Sequence, residues 1–157
     1  MNRTKIKTYL LWILLAEAVG GLAGWLTRED VKIYTDSIAQ PPLSPPPLVF
    51  PVAWTILYAL MGIGAARVSL APDGPRRSRA LAVFGLQLGM NFLWSILFFK
   101  FQRFGLALVW LIALWGAILW MASAFSRVDK AAARLQIPYL VWVAFAGYLN
   151  LGVWVLN

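Results

Sequence analysis

The chemistry this sequence can offer rests on tryptophan and a few buried-type polar side chains. Nine tryptophans occur in 157 residues, and there is no histidine or cysteine. An indole stacks on flat apolar rings and donates one hydrogen bond from its N–H. Without cysteine there is no disulfide framework and no thiolate-held metal or cluster. Without histidine the commonest metal ligand, the usual haem axial ligand and the usual general base are all missing. No phosphate loop, Ser/His/Asp set or metal-ligand cluster is present. No metal and no resident cofactor are therefore expected. Any reaction must draw on a bound ligand, on light or oxygen, or on the indoles themselves.

Polar residues inside the long apolar runs are few: Glu17, Thr55, Gln87, Asn91, Ser95, Ser123 and Asn150. Gln87, Asn91 and Ser95 fall four apart, on one helical face. They are suited either to interhelical hydrogen bonds or to a binding site. Glu17 is the one acidic residue within an apolar run, where a carboxylate is costly. It is either a functional group or a protonated acid bonded to a neighbouring helix. Trp25 and Trp154 lie near run ends, as in an interfacial aromatic belt. Trp54 and Trp94 have polar neighbours and suit a pocket better.

The elements that must position these residues are membrane helices. Hydrophobic residues make up 61% of the chain and charged residues 13%, an unworkable balance for a soluble domain. Five runs reach the roughly 20 residues needed to cross a bilayer: Thr8–Leu26, Phe50–Leu70, Ala80–Phe99, Gly105–Phe125 and Leu135–Leu156. They are continuous rather than alternating, which excludes a β-barrel. The expected fold is an all-α membrane protein, one domain over residues 1–157, with five transmembrane helices. The basic start, the run Leu10–Leu15 and Ala16-Glu17-Ala18 resemble a cleavable signal peptide. The apolar run continues to Leu26, however, so a retained first span is expected.

Charges collect in the gaps. Ten basic residues fall at the N-terminus and in the gaps after the second and fourth spans, four in the other gaps. This bias orients the N-terminus to the cytoplasm and the C-terminus outside. It accounts for the net charge of +8 without nucleic acid. Gly85 and Gly89 in the third span form a G-x-x-x-G pattern, as do Gly20 and Gly24 in the first. Such spacing lets helix backbones approach, within a bundle or across a dimer. The loop Ala71–Ser78 carries a Pro-Asp-Gly turn signal.

The segment Tyr34–Phe50 differs in kind. Pro41, Pro42, Pro45, Pro46 and Pro47 fix φ and remove amide donors, so a stiff extended loop is expected. It is either a rigid connector or a lid over a pocket between the helices.

The stretch Tyr34–Gly62, YTDSIAQPPLSPPPLVFPVAWTILYALMG, resembles the characteristic segment of the TspO/MBR family. These are the tryptophan-rich sensory proteins, related to the mitochondrial translocator protein or peripheral benzodiazepine receptor. Ile38, Pro41, Pro45, Pro46, Phe50, Trp54, Thr55, Leu57, Tyr58, Met61 and Gly62 fall at motif positions. Gln87–Phe99 and Pro138–Phe145 followed by Asn150 extend the match in family order. In the loop, Tyr34-Thr35 replaces the usual Trp-Tyr, Gln40 the usual lysine and Leu43 the usual tryptophan. The loop thereby carries less aromatic surface and one cation fewer.

The resemblance implies a dimeric five-helix bundle that binds porphyrins such as protoporphyrin IX, or other flat apolar ligands, under the first loop. The ligand-binding residues it implies are Trp54, Tyr58, Asn91, Trp94, Ser95, Phe98, Trp142 and Ala146. Tyr34, Pro41, Pro45 and Pro46 would form the lid, while Gly85 and Gly89 are expected at the dimer interface. Trp54 and Trp142 match tryptophans implicated in porphyrin breakdown, which would make them catalytic if that reaction occurs. A tetrapyrrole or sterol transporter is a third reading. The forward sterol-recognition pattern after Tyr148 lacks its basic residue; a reversed version runs from Arg134 through Tyr139 to Val141. The expected location is the bacterial cell membrane.

Overall fold

The structure is a computed structural model and describes residues 2–157. Five of its helices are long and apolar enough to cross a membrane. They are α1 (Arg3–Leu26), α3 (Val49–Ser69), α4 (Pro75–Ser95), α5 (Phe104–Ser126) and α7 (Ile137–Leu156). Two shorter helices join them: α2 (Arg28–Ser37) and α6 (Lys130–Arg134). The protein is thus an all-α, multi-pass membrane protein. Its outer surface is apolar, with Leu11, Val109, Ile112, Val141 and Val155 all exposed. Lipid covers these side chains at no cost, and the helices keep their backbone hydrogen bonds internal.

The ends of the spans depart from the apolar runs for identifiable reasons. α1 begins at Arg3 rather than Thr8, because Asn2 caps it: its side-chain oxygen accepts from the Lys5 N–H at 2.8 Å. α4 starts at Pro75, where a first-turn proline is already shaped for a helix. It does not run as an α-helix to Phe99. After Ser95 it widens into a π-helical turn, Ile96–Lys100, a wide turn that often marks a functional site. α7 begins at Ile137, preceded by α6, which Asp129 caps through the Ala132 N–H at 3.0 Å.

The expected loop from Tyr34 is corrected by α2, which remains helical through Ser37. Glu29 and Asp30 occupy its first turn, where carboxylates favour the helix N-terminus. Its Tyr34 ring packs edge-on against Phe98 and Phe99 at 5.4 and 5.3 Å. Burial pushes the Tyr34 phenol above its ordinary pKa. The backbone becomes extended only at Ile38. Beyond it, the proline segment is fastened to α7. Tyr148 donates to the Pro42 carbonyl at 2.7 Å, and Asn157 exchanges two hydrogen bonds with the Ala39 backbone at 2.9 and 3.2 Å. Pro41 sits against Gly152, where any β-carbon would meet its ring.

α1 packs chiefly on α3, and α5 packs on both α4 and α7. The α1–α3 crossing is close at Gly62, whose β-carbon would meet the Ile13 backbone. α3 and α7 hardly approach one another through their backbones. Aromatic side chains bridge that gap instead.

Candidate functional site

The gap encloses a cavity of about 570 Å³. α1 walls one side through Glu17, Gly20, Gly21 and Gly24, a single stripe at helical spacing that its C-cap Thr27 continues. α2 contributes Arg28 and Tyr34. α3 supplies Phe50, Trp54, Thr55 and Tyr58. α4 and its π-turn supply Trp94, Ser95, Phe98 and Phe99, and α7 supplies Trp142, Ala146, Leu149 and Asn150. Pro45 and Pro47 close over the end of the cavity.

The aromatic lining falls into two connected sets of rings, one on each wall. Trp54 stacks on Tyr58 with centroids 5.6 Å apart and meets Trp142 edge-to-face at 6.3 Å. Phe50 meets Trp142 at 6.0 Å. On the opposite wall Trp94 stacks on Phe98 at 5.1 Å. Such geometry follows from the ring quadrupoles and leaves flat faces for a flat guest.

Below the rings lies a buried polar network. Tyr58 donates to Asn91 Oδ1 at 2.6 Å, Asn91 Nδ2 donates to the Tyr139 hydroxyl at 2.7 Å, and Tyr139 donates to Gln87 Oε1 at 2.7 Å. Tyr139 and Gln87 are wholly buried. Trp94 is fixed separately: its indole donates to Asn150 Oδ1 at 3.1 Å, and Asn150 Nδ2 donates to the Phe104 carbonyl at 2.8 Å. The Trp142 indole nitrogen is buried without any hydrogen-bond acceptor among the described residues.

Of the residues implicated from the sequence, Trp54, Tyr58, Trp94, Ser95, Phe98, Trp142 and Ala146 line the cavity. Asn91 does not; both ends of its amide are held in the network beneath. Of the lid residues, Tyr34 and Pro45 line the cavity, while Pro41 and Pro46 do not. Pro41 is turned to α7, and the Pro46 carbonyl accepts from the Val49 N–H at 3.0 Å at the start of α3. Gly85 and Gly89 lie away from the cavity on an exposed face of α4. Sequence reasoning missed the α1 wall as lining, although the spacing of Glu17, Gly20, Gly21, Gly24 and Thr27 already places them on one face. Gly20 must remain bare because a β-carbon there would strike the Tyr58 ring.

The arrangement can hold a flat apolar molecule between indoles, with one charged group at each end of the α1 stripe. No cluster of three or more histidine, cysteine or carboxylate side chains able to hold a metal occurs among the described residues.

Comparison with known proteins agrees with this architecture. The model of the TspO/MBR family matches residues 12–155. The chain is 37% identical to the tryptophan-rich protein TspO of Chlorobaculum tepidum, over the whole chain and 99% of that protein. It is 40% identical to protein CrtK of Rhodobacter capsulatus, over the whole chain and 95% of that protein. Identity to the translocator protein of Bos taurus is 34%, covering 90% of this chain and 85% of that one. With near-complete coverage of bacterial and mammalian relatives alike, this tryptophan-lined five-span protein belongs to the TspO/MBR family.

Proposed function

We propose that the protein is a membrane sensor or receptor whose cavity binds a porphyrin, with protoporphyrin IX as the type ligand, or a related flat apolar molecule. The observation that carries this reading is the cavity itself, walled by the rings of Trp54, Tyr58 and Trp142 and by those of Trp94 and Phe98. The volume of about 570 Å³ falls within the range of small-molecule sites. A porphyrin would lie between the Trp54–Trp142 wall and the Trp94–Phe98 wall. Its carboxylates would turn to the end where Arg28 stands. Titration with protoporphyrin IX should quench tryptophan fluorescence saturably, and Trp142→Ala should weaken binding at least about tenfold. Non-saturable quenching, or an unaltered Trp142→Ala curve, would refute the reading.

A second reading is favoured by the Trp54–Trp142 contact at 6.3 Å. Two touching indoles against a photosensitising ring could direct its photo-oxygenation, in which molecular oxygen cleaves one carbon–carbon bond at a meso bridge and its two atoms end as the two new carbonyl oxygens. A bilin-like absorption product lost in Trp54→Phe would support it; bleaching no faster than with free tryptophan would exclude it. We further propose a homodimer in the bacterial cell membrane, N-terminus inside and C-terminus outside, as the basic residues favour.

A further inference from the structure

We propose that Glu17 acts as the counter-ion for a positively charged nitrogen on a guest, so that of two flat apolar molecules of one shape the cavity prefers the one that bears a protonated amine. The inference rests on the reading of this cavity as a ligand site and adds a second class of guest beside the porphyrin. Glu17 is the only acidic side chain on the cavity wall. It lies nine residues from the end of α1, about 14 Å along the axis, near the middle of the hydrocarbon layer. An ionisable group at that depth ordinarily pairs with a second group. Here the two ion pairs are elsewhere, Arg67 with Asp129 and Lys100 with Asp30. The Glu17 carboxyl has no hydrogen-bond partner among the described residues; the Tyr58 hydroxyl donates to Asn91 instead.

The surroundings suit a cation. One turn on from Glu17, Gly20 lies directly under the Tyr58 ring, which Trp54 covers in turn. The carboxyl therefore borders an apolar aromatic wall, and a cation on a guest would meet no ion-paired partner competing for it. Gly21 and Gly24 carry no side chain to block the way and have open space before them. The other charged group of the lining, Arg28, cannot serve as the partner of Glu17. It lies beyond the end of α1, at the start of α2, donates to the Trp25 carbonyl at 2.6 Å and stacks on the Trp25 ring at 4.6 Å.

The test compares two probes of one shape, 1-pyrenemethylamine and 1-pyrenemethanol, by energy transfer from tryptophan in non-ionic micelles. The wild-type protein should bind the amine at least about tenfold more tightly, which corresponds to 1.4 kcal/mol. The net charge of +8 opposes that preference, so it would have to arise locally. Glu17→Gln should bring the ratio close to one, and Glu17→Asp should keep the amine preferred. Equal affinities in the wild type, or a preference that survives Glu17→Gln, would overturn the proposal. Protoporphyrin IX titrated in the same preparation separates the two levels. If it and the alcohol saturate without preference for the amine, only the role of Glu17 falls. If porphyrin and both probes fail to saturate, the ligand-site reading falls, and the proposal with it.

Discussion

At the scale of single residues, Asn91 shows how a polar side chain can support a cavity without lining it. Its amide accepts from Tyr58 and donates to Tyr139, joining α3, α4 and α7 beneath the aromatic walls. Replacing it with leucine leaves the buried Tyr58 hydroxyl without its acceptor. An orphaned buried donor costs about 1–3 kcal/mol, and membrane interiors offer no water to compensate. Asn91→Leu should therefore lower the Tm in detergent by several degrees. Because Asn91 lies outside the cavity lining, its effect on porphyrin affinity should be smaller than that of Trp142→Ala. A variant with wild-type Tm and lost binding would show instead that Asn91 contacts the ligand directly. The sequence indicated an inward-facing amide on α4, but spacing alone could not say whether its hydrogen bonds were already filled. That depends on Tyr58 and Tyr139, far away in the chain.

At the scale of elements, the end of the bundle opposite the cavity is held by an ion pair that doubles as a helix cap. Asp129 accepts from the Ala132 N–H at 3.0 Å and from Arg67 Nε at 3.1 Å, tying α3 to α6. Burial would raise the Asp129 pKa. The Ala132 N–H and then the Arg67 guanidinium outweigh it and hold the carboxyl below the usual carboxylate range. The folded protein thus binds fewer protons here than the unfolded chain. This stabilisation is complete above the unfolded pKa of about 4 and is lost as pH falls through the lower folded value. Asp129→Asn keeps the cap, since asparagine caps a helix as well as aspartate, but it removes the charge that pairs with Arg67 and should lower stability at pH 7 by up to about 1 kcal/mol. It should also flatten the decline in Tm between about pH 5 and 3; an acid limb as steep as the wild type would exclude Asp129 as its source. The spans themselves were legible because length and apolarity are properties of a segment. α2 was not, because the prolines beginning at Pro41 were read back as far as Tyr34. The helix stops only where Ile38 turns extended. Which prolines face the cavity was equally hidden, since the contacts of Tyr148, Gly152 and Asn157 with the loop are tertiary.

At the scale of the whole molecule, the cavity and the α4 glycines face in different directions, so ligand binding and dimerisation can be separated. Gly85 and Gly89 are exposed, and a β-carbon at either would have open space before it. The bundle therefore does not use them for its own packing. Leu86 and Leu93 flank them, exposed by 47% and 45%. A bare track between leucines is a surface on which a second copy of α4 can come close, where van der Waals packing drives association in lipid. The double variant Gly85→Leu, Gly89→Leu fills that track, and its β-carbons would meet no neighbouring element within 4 Å. Light scattering in detergent should then report a monomer where the wild type gives a dimer. The Tm of the monomer and its porphyrin titration should be retained, because the cavity lies on α1, α3, α7 and the other face of α4. A variant that remains dimeric would remove these glycines from the interface. One that becomes monomeric and also loses the ligand would show that the second copy supports the cavity after all.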